Sequence, residues 1–210
     1  MLNNAGGDIN AFARWLGPHF FSYLMTFFVA GTYWLAHHRD FDRIIGYDRG
    51  LLGYNLLFLL FVGLFPFSTA AISMGTISLA NYPFYWAVYA ANFILAGILL
   101  TLTWLYASSH GLLDPETTPQ ENRYILVRQI VNPSVFLVSI GAEYLFPQAF
   151  LGPWILLALL PVQMAVDRIF APVEPSRPFG LGAWPRRFWQ AGILFLWLGI
   201  FAFATWVLTR

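Results

Sequence analysis

Cysteine is absent from all 210 residues, which excludes disulfides, thiolate metal sites and cysteine nucleophiles. Charge is scarce as well. Asp, Glu, Lys and Arg make up 10% of the chain, whereas a soluble domain carries roughly a quarter, so this chain cannot clothe a water-facing surface. The net charge is +1 with no basic tract, and nothing in it suits nucleic acid. Residues 1–10 have neither the basic start nor the apolar core of a signal peptide, so insertion into a membrane is expected to be driven by the later helices themselves. No phosphate loop, Ser-His-Asp order or paired-carboxylate site stands out. An enzyme reading has no positive support, and no cofactor or metal is expected.

What the chain does have is apolar length. It is 59% hydrophobic and 19% aromatic, with continuous apolar runs near the ~20 residues that cross ~30 Å of hydrocarbon. A transmembrane β-barrel would need ~10-residue segments alternating apolar and polar. The fold class is therefore all-α, a polytopic membrane bundle of about six transmembrane helices. Residues 1–16 form a polar lead-in that turns amphipathic at Phe12, Trp15 and Leu16 and suits the interface. Spanning helices are expected at about 18–38, 50–73, 84–107, 124–146 and 153–169, making a membrane domain over 17–170. A Pro/Gly-rich linker at 171–186 then leads to a C-terminal helix at 187–208, within the segment 187–210. Kinks are expected at Pro66 and Pro161, because proline removes a backbone hydrogen bond.

The loops carry an orientation signal. If the turn at 39–49 faces the cytoplasm, six alternating crossings put Arg39, Arg43, Arg49, Arg123, Arg128, Arg168, Arg177, Arg186 and Arg187 inside, with Arg14 and Arg210 outside. That is the positive-inside bias. Both termini would then face away from the cytoplasm, an arrangement that points to a helix missing ahead of residue 1.

Few side chains could carry chemistry. His37 and His38 are adjacent, so on a helix they point about 100° apart and cannot grip one metal as an i, i+4 pair does. They read first as interfacial caps complementing the helix dipole, then as members of a network with another helix, and last as metal or haem ligands. Asn55 sits among apolar residues at a depth comparable with Trp34 and His37, where a buried amide seeks an interhelical bond. Glu143 lies about three residues from its helix end and is expected to reach the interface, and Arg128 to snorkel to the cytoplasmic surface.

The hairpin Tyr-Trp-Leu-Ala-His-His-Arg at 33–39, the run Leu51 to Val62 (LLGYNLLFLLFV) and the segment Leu64 to Ala70 (LFPFSTA) closely resemble the transmembrane-protein-175 family, the endosomal and lysosomal potassium channels of animals and their prokaryotic homologues. Asn92 to Ala107 (NFILAGILLTLTWLYA) extends the likeness. The resemblance implies a six-helix repeat, a homo-oligomer (a tetramer by family analogy) in the lipid bilayer, and potassium ions as the permeant species. Proton permeation enters by family analogy alone, and the expected host is a prokaryotic plasma membrane. The resemblance places Trp34, either His37 or His38, and Asn55 in a polar buttress behind the pore helix. The family's first, pore-lining helix with its Phe-Ser-Asp motif has no counterpart in residues 1–16. One expectation is that 187–208 fills that position, with Leu194, Leu196, Leu198 and Ile200 as the constriction. The alternative is a non-conducting membrane scaffold or partner subunit. A carbonyl filter is excluded by the lack of a Thr-Val-Gly-Tyr-Gly segment.

Overall fold

The computed structural model describes residues 5–77, 79–147 and 149–172, which form seven α-helices and one 3₁₀ turn. They are α1 (Ala5–Phe41), α2 (Arg49–Gly63), α3 (Phe65–Ile77), the turn Leu79–Asn81, α4 (Tyr82–Ser109), α5 (Pro119–Leu145), α6 (Leu151–Leu156) and α7 (Leu159–Phe170). Four helical stretches are long and apolar enough to cross a membrane, namely Arg49–Ser73, Tyr82–Ser109, Pro119–Leu145 and Leu151–Phe170. The expected helix at 187–208 lies outside the described residues, as do Leu194, Leu196, Leu198, Ile200 and most of the linker.

The apolar run 18–38 is part of a longer rod. At 37 residues and ~1.5 Å per residue, α1 exceeds the ~30 Å hydrocarbon layer. The amphipathic lead-in is continuous with it, and α1 begins at Ala5. A helix has already made its own backbone bonds, so it can run on through the interface at no hydrogen-bonding cost.

Proline sets the two breaks, though not at the prolines themselves. The stretch expected as one helix over 50–73 divides at Leu64, two residues ahead of Pro66. Pro66 has no N–H to return to Val62, and the Leu64 N–H closes α2 on Leu60 and Phe61 instead. Hydroxyls then knit the start of α3: Ser68 Oγ and Thr69 Oγ1 donate to the Phe65 carbonyl at 3.1 and 2.7 Å. Asn92 Nδ2 of α4 donates to Ser68 Oγ at 3.0 Å, and Thr26 of α1 meets Thr69 at 2.7 Å. The last stretch divides in the same way, between Leu156 and Leu159, so that Pro161 falls in the first turn of α7, where a missing N–H is tolerated.

Helix α4 is the centre of the bundle, with α2, α3 and α5 packed round it. Its buried residues Trp86, Tyr89, Phe93, Ala96, Leu100, Trp104 and Ala107 recur every three or four positions, the spacing of one helix face. Phe93 is clasped by Phe65 at 4.2 Å and Phe136 at 5.1 Å between ring centroids. Gly97 lets Pro133 of α5 come close: a Cβ there would lie 3.1 Å from Pro133 Cδ and from the Tyr33 hydroxyl. That hydroxyl donates to the Phe93 carbonyl at 2.7 Å.

Glu143 departs from expectation. It is fully buried rather than interfacial, because the chain turns back after α5 through Phe150, whose φ of 47° is left-handed. The turn delivers the Gly152 N–H, which donates to Glu143 Oε2 at 2.6 Å. Helix α6 thereby starts against a carboxylate, and Gly152 itself lies under the Trp86 indole, where a Cβ would overlap the ring.

Candidate functional site

The hairpin of α1 and α2 brings two of the four sequence-marked residues together. His37 Nε2 and Asn55 Oδ1 are 2.8 Å apart. With the amide placed so, Nε2 donates and Asn55 accepts. The His37 ring is held between two aromatics, Phe41 at 4.4 Å and Phe58 at 5.1 Å. Phe41 stands four residues on along α1 and Phe58 three residues beyond Asn55 on α2, so helical spacing supplies both walls.

Trp34 and His38 belong to another face. Trp34 is 58% exposed, its ring stacks on His38 at 5.5 Å and an interplanar angle of 1°, and His38 Nε2 lies 4.0 Å from Asp42. Neighbouring helical positions diverge by about 100°, which turns His38 outward while His37 turns to α2. Trp34 thus lies apart from the His37–Asn55 bond. Among the described residues no group of three or more His, Asp or Glu could hold a metal ion.

Beyond this bond the charged end of the bundle is tied down by groups that sequence reading missed. Arg43, in the turn after α1, pairs with Glu121 of α5 at 3.1 Å, and both side chains are almost wholly buried. The backbone follows: Ile44 bridges Leu113, the Ile45 and Gly46 N–H groups donate to the Leu112 carbonyl, and Asp114 N–H donates to the Arg43 carbonyl at 2.8 Å. Glu121 also completes a capping box with Thr118 at the start of α5. Asp40, at the end of α1, accepts from Gln129 of α5. Arg128, expected to snorkel outward, is instead paired with Asp167 of α7 and donates to the Tyr124 hydroxyl. Gln163 of α7 donates to the Arg128 carbonyl and to Asn132 Oδ1, each at 3.1 Å. The capping box is the one signal readable from residue order, as Thr118 followed three positions later by Glu121.

Asp48 opens α2. Its Oδ1 accepts from the Leu51 N–H at 2.8 Å and its Oδ2 from the Tyr106 hydroxyl at 2.9 Å. The Leu51 N–H is the main reason that its carboxyl sits below the ordinary 3.8, with desolvation pulling the other way and the Tyr106 hydroxyl adding to the depression. A depressed carboxyl pKa gives stability that is complete above the ordinary value and is lost as pH falls through 3.8 toward the folded-state value. Wild-type protein is therefore expected to lose thermal stability in that acid window more steeply than Asp48→Asn, whose cap does not titrate. Parallel acid limbs in melting curves across pH would count against this.

Residues 3–66, which contain α1, the turn and α2, match the family model described as endosomal/lysosomal potassium channel TMEM175. A potassium channel of Streptomyces collinus is 26% identical over 148 residues, 70% of this chain and 71% of that one. A potassium channel of a Chryseobacterium species is 25% identical over 143 residues (68% and 71%), and one of Chamaesiphon minutus is 23% identical over 145 (69% and 71%). No solved structure matches the chain.

Proposed function

We propose that this chain, whose residues 3–66 match the TMEM175 family model, is a potassium-channel subunit of that family that conducts within an oligomer through an apolar constriction. The observation that carries this reading is the coincidence of the family match with the hairpin that holds the His37–Asn55 bond. Three relatives are each described as potassium channels and are aligned over about the same share of their length. Support for an assembly comes from the interior of one copy. Trp86, Tyr89, Phe93 and Phe136 are completely buried against one another, so the core between α4 and α5 is filled, which accords with an ion path between copies. The constriction we propose is Leu194, Leu196, Leu198 and Ile200, by the reading of 187–208 as a spanning helix, and the host a prokaryotic plasma membrane.

The test is ion flux into liposomes reconstituted with the 210-residue chain, potassium against sodium, with empty liposomes as the blank. Potassium-favouring flux is expected. Asn55→Leu breaks the bond to His37 at a cost of about 0.6 kcal/mol, the average for an interhelical hydrogen bond in a membrane, so the fold is retained while flux changes several-fold. Leu198→Asn is expected to raise flux by wetting the constriction. Absence of flux from folded, oligomeric protein would replace this reading with the non-conducting partner subunit.

A further inference from the structure

Asp40 and Gln129 make an incomplete pair. The Gln129 Nε2 donates to Asp40 Oδ2 at 2.5 Å, and the two residues are 1% and 6% exposed. Each has one oxygen left, Asp40 Oδ1 and Gln129 Oε1, and both are buried with no hydrogen-bond partner. Both are acceptors if Asp40 is ionised, so two buried acceptors of one pair lack a donor, each a cost of ~1–3 kcal/mol. A carboxylic acid differs from a carboxylate by one O–H donor. An acid and a primary amide close a two-armed ring, N–H to one carboxyl oxygen and O–H to the amide oxygen.

We propose that Asp40 and Gln129 form a proton-binding site, in which one proton on Asp40 Oδ1 is donated to Gln129 Oε1 and joins the end of α1 to α5. One added proton satisfies both orphaned oxygens. The proposal does not depend on conduction.

The surrounding charges agree. Asp40 lies beyond the apolar run 18–38, and no basic side chain among the described residues forms an ion pair with it. Arg39, its neighbour on α1, has its own Nε buried without a partner. Arg43 of the turn is engaged by Glu121 of α5, and Arg128 of α5 by Asp167 of α7 and Tyr124. Burial then dominates and pushes the Asp40 carboxyl up to about 8, with Arg39 and the Gln129 bond pulling it back only in part. A raised pKa works in the opposite sense to that of Asp48. The stability it confers is complete below the ordinary carboxylate value of 3.8 and declines until pH passes about 8. The α1–α5 contact is thus tightest when the site is occupied by its proton.

Infrared spectroscopy of the whole chain in lipid nanodiscs reads this proton directly. A protonated-carboxyl carbonyl band is expected below the midpoint, fading as pH is raised through about 8. Asp40→Asn removes the band while keeping both arms of the pair, since its amide N–H replaces the acid O–H. Gln129→Ala leaves the acid but shifts the frequency of the same band, because the proton loses its acceptor. Melting temperature gives a second reading: the advantage of Asp40→Asn over wild type should grow as pH rises from about 4 to about 8 and then level. A spectrum with no band sensitive to either substitution, as a bridging water in place of the proton would give, overturns the proposal. So does a stability difference independent of pH.

Discussion

Glu121→Ala is expected to destabilise the protein by about 3–5 kcal/mol, the cost of leaving a buried charge without its partner. The two side chains lie 78 positions apart in sequence and are both almost wholly shielded from solvent. Removing the carboxylate strands the Arg43 guanidinium and also deprives the Thr118 N–H of its acceptor at 2.9 Å. The double replacement Arg43→Met with Glu121→Leu removes both charges together, and should recover most of the loss, since apolar pairs of similar volume often substitute for a buried ion pair without penalty. Thermal unfolding in detergent, with exposed Arg123→Ala as the reference, decides it. A Glu121→Ala loss no larger than that of the reference would show that the pair contributes nothing.

The second large effect is expected at Gly152, where even one methyl is too much. A Cβ there overlaps the indole of Trp86, which is completely buried and fixed by a 3.1 Å bond from its Nε1 to Ser139. Overpacking of this kind costs ~1–3 kcal/mol. Displacing the Gly152 N–H from Glu143 adds ~1–3 kcal/mol for a buried acceptor left short. Gly152→Ala should therefore lower stability by about 2–6 kcal/mol. In a Trp86→Phe background the smaller ring makes room, and the penalty should shrink by coupling between neighbours. Equal penalties in both backgrounds would mean that the strain lies in the backbone turn and not against the indole.

The parts of the molecule legible from residue order are those fixed by local chemistry. Continuous apolar length marks the spans, since ~20 such residues are what hydrocarbon demands. Pro66 and Pro161 mark bends, because the lost N–H is a property of the residue itself. The places of the breaks were less legible. Leu64 and the residues before Leu159 yield because a missing donor is felt four positions earlier, and the helix closes where a neighbouring N–H can take the orphaned carbonyls.

Pairings across the bundle were mostly hidden. Arg43, Arg128 and Glu143 look like surface or interfacial charges when each is read alone on its helix. Their partners Glu121, Asp167 and the Gly152 N–H belong to other elements, so only the helix packing reveals the pairings. Asn55 was easier, because its partner lies across a tight hairpin, 18 positions back on the antiparallel neighbour. Trp34 and His38 face away from that bond, a split that follows from helical geometry but cannot be chosen without knowing which face of α1 meets α2.

The bridge of Ile44 to Leu113, with the Asp114 N–H on the Arg43 carbonyl, makes the α1–α2 turn and the α4–α5 connection one cross-braced plate. Neither helix pair can slide at that end without dragging the other, so torque applied to α1 there is shared by α5 at once. The two interruptions, at Leu64 and between Leu156 and Leu159, both lie away from the plate. Compliance is thereby graded along the bundle, rigid at the braced end and jointed farther out, and bending of its helices will be concentrated in the half remote from the arginine turn.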